Sequence, residues 1–264
     1  LKSSSYNKKN AAFRLLALRN GFIYIRQMRL LLLFFLYFWG FPAHSDQISG
    51  HGAVATVDPL ATDAAVRVMK RGGNAIDAAV AAGLTLGVVN GYNSGIGGGC
   101  FIVARLADGR VITINGRETA PAKAHRDLYL REGKADTQLS QLGALASGVP
   151  GALAAYARLA KAHGKLPLRV HLETAATVAE EGFAIPAAYA GRIRATAKGL
   201  AKFPASGALL LKADGSPKVA GELLRQPDLA RTYRAIAKEG TGWFYGGPFA
   251  RRTEVWMKKD GGIL

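Results

Sequence analysis

Residues 75–89 read AIDAAVAAGLTLGVV, and only Asp77 and Thr85 interrupt the apolar and small residues. A helix formed by this segment is apolar on every face, so it is expected to be buried on all sides. Burying it takes several packed neighbours, and a chain of 264 residues with 49% hydrophobic content has the material to supply them. Asn74 is an N-cap residue in front of it. Directly after it comes NSGIGGGCF, residues 93–101, with four glycines in the five positions from Gly95 to Gly99.

Glycine clusters of this kind often cradle phosphates, and both familiar versions fail here. A Walker-type loop needs GxxxxGK followed by Ser or Thr, and no lysine follows. A dinucleotide fingerprint needs GxGxxG between a strand and a helix, but the sixth position is Cys100 and the order is helix first, strand second. Two readings remain: a tight crossover between packed elements, or a loop lining a site so closely that no side chain fits. Cys100, at the head of an apolar strand with no histidine in recognisable relation to it, reads as a buried structural cysteine rather than a nucleophile.

The neighbouring segments supply the packing partners. Asp58-Pro59 opens a helix with Ala61, Ala65, Val68 and Met69 at helical spacing, stopped by Gly72-Gly73. Runs 101–106 and 111–114 flank Asp108-Gly109 and predict a hairpin. Its strands are apolar at consecutive positions, so cover on both faces is expected. Further helices are expected up to His163, from Leu172 to Gly182, and from Pro227-Asp228 to Gly240, while 202–221 reads as loop with a turn at Asp214-Gly215. Helices over such a hairpin suggest α/β or α+β layering.

Charge narrows the function classes. The net charge is +17, but residues 1–45 hold seven basic and no acidic side chains, leaving +10 spread over residues 46–264. No basic run is interleaved with aromatics, which argues against nucleic-acid binding. A single cysteine allows no intrachain disulfide, and the five histidines show no metal-ligand spacing, so no metal or cofactor is expected. From Met28, an apolar run 30–41 between Arg29 and the small residues Ala43 and Ser45 reads as a signal peptide at 28–45. Twelve apolar residues are short for a membrane span, which takes about 20. Residues 1–27 then read as an over-extended or non-native stretch, and 46–264 as the exported part, periplasmic or secreted, without stable membrane insertion after signal removal.

The hairpin's second strand runs into NGRETAP, residues 115–121. An arginine where a strand opens into a loop can present its planar fork to a carboxylate, or can be consumed by an internal pair such as Arg117–Glu118. Here the segments GGNAIDAAVAAGLTLGVVN, SGIGGGCFIV, GRETAPA, SGVPGALAAYARLAKAHGKLP, AEEGFAIP, QPDLARTYRAIAKEG and FYGGPFA follow the order found in γ-glutamyltranspeptidases (glutathione hydrolases). The resemblance covers about 51–264, the N-terminal part of that family's large subunit.

The resemblance implies an α+β fold, the αββα sandwich of N-terminal-nucleophile hydrolases, incomplete in this chain. It implies a precursor that cleaves itself into two subunits. The freed N-terminal threonine then attacks the γ-glutamyl amide with its own amine as base, and water or an acceptor amine resolves the γ-glutamyl enzyme. Arg117 matches the arginine that binds the glutamyl α-carboxylate. No Thr-Thr-His segment, nor the downstream Ser-Ser and Gly-Gly elements, occurs in these residues. The nucleophilic threonine is therefore expected beyond Leu264, no catalytic residue is assigned within the chain, and the chain alone is expected to be inactive. The implied partners are glutathione and related γ-glutamyl compounds, and a small subunit from the same precursor. Unpaired sheet edges are expected where the small subunit's strands would lie. A cephalosporin or glutaryl acylase of the same fold, or a non-catalytic glutamyl-binding protein, are the alternatives.

Overall fold

The computed structural model describes residues 52–264. The expected signal segment and the stretch before it lie outside the described residues. Helix α1, Pro59–Lys70, starts as its sequence dictates: the Asp58 carboxylate accepts from Leu60 N at 2.9 Å and Pro59 takes the first helical position. Helix α2, Ala75–Val89, opens on a reciprocal cap. Asn74 Oδ1 accepts from Ile76 N and Asp77 N, and Asp77 Oδ2 accepts from Asn74 N at 2.9 Å.

After the glycine stretch, β1 (Cys100–Arg105) and β2 (Val111–Gly116) pair antiparallel, with Cys100 opposite Gly116 and Ile102 opposite Ile114. Gly109, at φ 88°, turns the chain between them. A small hairpin, β3 (Leu130–Arg131) and β4 (Lys134–Ala135), and a 3-10 turn at Ala144–Ala146 lead to α3, Ala152–His163. Then come α4 (Leu168–Glu181), β5 (Phe183–Ala184), α5 (Ala187–Leu200) and α6 (Pro204–Leu210). The chain continues with β6 (Leu223–Leu224), which pairs with β5, then α7 (Pro227–Glu239), α8 (Gly242–Tyr245) and α9 (Pro248–Lys259).

The loop expected over 202–221 is a correction: it contains α6, with Pro204 at the helix start. Its Leu209 and Leu210 pack on the core, an apolar anchor that the glycine- and lysine-rich surroundings disguise. The turn at Asp214-Gly215 forms, with Ser216 N donating to Asp214 Oδ1 at 2.9 Å.

The core answers the demand set by α2. Helix α4 packs between α2 and α7, and α1 covers a further side of α2. Leu84, Val88, Leu172, Ala176 and Ile236 are almost wholly excluded from water. Each fully buried leucine or isoleucine contributes about 1.5–3 kcal/mol. Two of the polar groups inside are tied to backbone: Tyr233 Oη donates to Leu84 O at 3.1 Å and Gln226 Nε2 donates to Val88 O at 2.8 Å. These two bonds fasten the C-terminal half of α2, and hence the start of the glycine stretch, to α7 and the residue before it.

The hairpin has one covered face. Ile102, Ile112 and Ile114 pack on the helical core, whereas Phe101, Val103 and Val111 are 69%, 74% and 62% exposed. The expectation of cover on both faces is met on one face only among the described residues. Likewise, β1 and β2 form a two-stranded sheet there, with both outer edges unpaired.

Candidate functional site

Strand β2 ends at Gly116, and Arg117 is the first residue beyond it. Three backbone segments meet at this corner. A Cβ on Gly99 would lie 2.8 Å from both Arg117 Cα and Glu118 N, and one on Gly151 would lie 2.8 Å from the Arg117 carbonyl oxygen. No side chain fits at either position, so the backbone of Arg117 is held between two glycines. Hydrogen bonds close the arrangement. Gly98 O accepts from Gly151 N at 3.0 Å and Ala152 N at 3.1 Å, and Thr119 and Val149 exchange a pair of backbone bonds. Gly99, and less tightly Gly98, thus serve close packing against the arginine-bearing corner, whereas a Cβ at Gly95 or Gly97 would meet nothing within 4 Å.

The Arg117 side chain, 68% exposed, extends from this rigid base. Its Nε lies 3.6 Å from Glu118 Oε2, and this is the one ion pair it makes among the described residues. That separation is beyond hydrogen-bond range, so the internal pair foreseen from sequence forms only loosely and leaves the fork available. Glu118 itself lines a cavity of about 420 Å³ that runs along residues 91–99. A larger cavity, about 940 Å³, lies at the opposite end of α2, lined largely by Gly52–Thr56, Ala75 and Ala78. Fifteen helical residues, about 20 Å, separate the two ends, so the larger cavity is not part of the arginine site.

Cys100 sits half-buried at the start of β1. Burial, with Glu118 as the second cause, pushes its thiol above the usual range and keeps it protonated at neutral pH. Among the described residues, nothing beside it activates a nucleophile. No group of three or more metal-ligating side chains clusters among the described residues.

Sequence reasoning missed two arrangements. Asp77 and His171 are both fully buried, with His171 Nε2 3.1 Å from Asp77 Oδ1. Asp77 also accepts from Lys165 N at 2.9 Å and Leu166 N at 3.2 Å, so one carboxylate joins the start of α2 to the α3–α4 connection and to α4. The pattern gave a hint, since Asp77 was one of two polar residues in an apolar helix; its partners 88 to 94 positions away carried none. The second is Tyr245, whose hydroxyl bonds to the backbone at both Pro150 and Ala154.

Comparison with known proteins places this corner in context. The sequence matches the model of the family described as Gamma-glutamyltranspeptidase over residues 61–264. It is 36% identical over 214 residues to glutathione hydrolase proenzyme 1 of Schizosaccharomyces pombe, covering 81% of this chain and 33% of that protein. The structure is similar to that of Helicobacter pylori gamma-glutamyltranspeptidase, with a TM-score of 0.80 and 36% identity, over 83% of this chain and 63% of that one. It is also similar to cephalosporin acylase from Bacillus halodurans, with a TM-score of 0.68 and 27% identity, over 84% of this chain and 44% of that one. The chain spans about a third of the length of the curated relatives it matches. The described helices and hairpin form part of the N-terminal-nucleophile hydrolase fold shared by these structures. By sequence and by fold, the chain belongs to the gamma-glutamyltranspeptidase family.

Proposed function

We propose that this chain supplies the donor-carboxylate site of a γ-glutamyl transferase acting on glutathione and related γ-glutamyl compounds. One observation carries the reading: the backbone of Arg117 is fixed between Gly99 and Gly151, while its guanidinium projects into solvent with only a 3.6 Å contact to Glu118. A fixed base with an unconsumed fork is suited to receive a carboxylate through two parallel hydrogen bonds. A backbone fixed before the substrate arrives leaves only the side chain to be ordered on binding.

The rest of the reaction belongs to residues outside this chain. On this proposal a threonine after Leu264 attacks the γ-glutamyl amide, its own amine taking the proton, and water or an amine resolves the acyl-enzyme. The threonine-bearing subunit comes from the same precursor, in keeping with relatives named proenzymes. Residues 28–45 act as the export signal of that precursor. Among the described residues, no helix is long and apolar enough to cross a membrane.

The test is hydrolysis of a γ-glutamyl anilide by the full-length protein and by its Arg117→Ala variant. Losing a charge-assisted, bidentate contact should raise KM by about a hundredfold or more. An unchanged KM would remove Arg117 from the donor site. The similarity to the Bacillus halodurans cephalosporin acylase supports a second reading, in which the same arginine holds the carboxylate of a glutaryl group. Glutaryl anilide turned over faster than γ-glutamyl anilide would favour that reading.

A further inference from the structure

Helix α3 begins beside Arg117 without a capping side chain of its own. Its N-cap is Gly151, and no side chain within the segment bonds its first turn. The exposed amides find distant partners instead. Gly151 N and Ala152 N donate to Gly98 O, and Ala154 N donates to Tyr245 Oη at 3.0 Å. The same hydroxyl donates to Pro150 O at 3.1 Å. One phenol, more than 90 residues away in sequence, therefore grips the backbone on both sides of Gly151.

Tyr245 is itself held in place. It follows Phe244, which is buried and meets the Tyr245 ring edge-on with centroids 5.0 Å apart. Phe244 in turn stacks on Phe249 of α9 at 4.4 Å. The aromatic cluster at α8 and α9 thus fixes a hydroxyl, the hydroxyl fixes residues 150–154, and Gly151 within them packs on the carbonyls of Gly116 and Arg117. Close-packed backbone has no slack to absorb a shift of a few tenths of an ångström.

We propose that Tyr245 is a positioning residue for the donor site: its hydroxyl sets the 150–154 segment against residues 116–117 and so sets where the Arg117 guanidinium lies. The inference rests on the reading of Arg117 as the carboxylate-binding residue. Its test is steady-state kinetics of the full-length enzyme with γ-glutamyl anilide, comparing wild type, Tyr245→Phe, Arg117→Ala and the double variant. Tyr245→Phe keeps the ring and removes only the hydroxyl. KM should rise about fivefold to tenfold with kcat held, the scale of one or two lost hydrogen bonds felt at a neighbouring contact.

In the Arg117→Ala background the same change should add almost nothing to KM, because the two residues act through one contact. A purely structural role would lower the yield of active enzyme, or lower kcat, and would act equally in both backgrounds. Additive losses, or an unchanged KM in an active Tyr245→Phe enzyme, would overturn the inference while leaving the donor site standing. Absence of γ-glutamyl turnover by the wild-type protein would overturn both.

Discussion

The helical side and the hairpin side of this protein treat the same kinds of residue in opposite ways. Around α2, α4 and α7 the apolar side chains are dry, and the buried polar groups of Asp77, Tyr233 and Gln226 reach backbone partners. On the outer face of β1 and β2, Phe101, Val103 and Val111 stand in water. The arginine corner lies where these regions meet, built on glycine backbone rather than on side chains. The dry packing is concentrated in the helices, and the proposed carboxylate site lies at the edge of the less complete region, where a fold can spare interactions for a ligand.

The contrast breaks most visibly at Asp77. Asp77→Ala leaves His171 and the amides of Asn74, Lys165 and Leu166 without their acceptor. Urea denaturation should show a loss of about 3–5 kcal/mol, the range for removing one partner of a buried charged network. A loss no larger than that of a surface substitution would mean the helical side does not depend on this hub.

Gly87→Ala should cost less, about 1–3 kcal/mol, as an overpacked core position does. Its new methyl would lie 2.8 Å from the Tyr233 hydroxyl and 3.1 Å from Gly95 Cα. Thermal unfolding would measure it, and a neutral result would show that α7 can move away from α2.

Acid should weaken the helical side in two steps. Burial lowers the His171 pKa from its ordinary 6.5, outweighing the pull of Asp77, and Nδ1 has no hydrogen-bond partner among the described residues. Burial works to raise the Asp77 pKa, but the amides of Asn74, Lys165 and Leu166, with His171, hold it below its ordinary 3.8. Both groups bind protons more readily unfolded than folded, so each contributes stability that is present above its ordinary pKa and is lost as pH falls below it. Stability measured by denaturant titration should therefore decline from pH 6.5 downward and again below 3.8. His171→Gln should remove the upper step and shrink the lower one, since His171 helps hold the Asp77 pKa down; an unchanged slope near pH 6.5 would assign the upper step to another group.

The smallest effect belongs to the hairpin. Val103→Thr exchanges an exposed apolar side chain for a polar one of similar shape and β preference. In this chain without the threonine-bearing subunit it should change stability by no more than about 0.5 kcal/mol, as surface substitutions do. A loss several times larger would show that this face is covered in solution and would erase the contrast.

The sequence made much of the helical side legible. Asp58-Pro59, Asn74 and the glycines after α1, α4 and α7 mark helix ends through local backbone chemistry, and α2 declares its burial by having no polar face. Legibility failed where the signal was not local. Helix α6 hides among residues that usually make loops, with only Pro204 and two leucines to reveal it. The outer face of the hairpin reads as buried because its valines and phenylalanine are apolar, and composition cannot say what covers a face. Arg117 was found by its motif, but the clamp of Gly99 and Gly151 and the grip of Tyr245 join segments up to 95 residues apart. No periodicity encodes such contacts.

The most direct test of the account is calorimetric titration of L-glutamate into the full-length protein and its Arg117→Ala variant, with thermal unfolding of the same samples. The variant should lose binding while Tm stays within about 2 °C of wild type, because the side chain is mostly exposed. Glutamate bound equally well by Arg117→Ala, or a fall in Tm of many degrees, would show that the arginine serves the structure rather than the ligand.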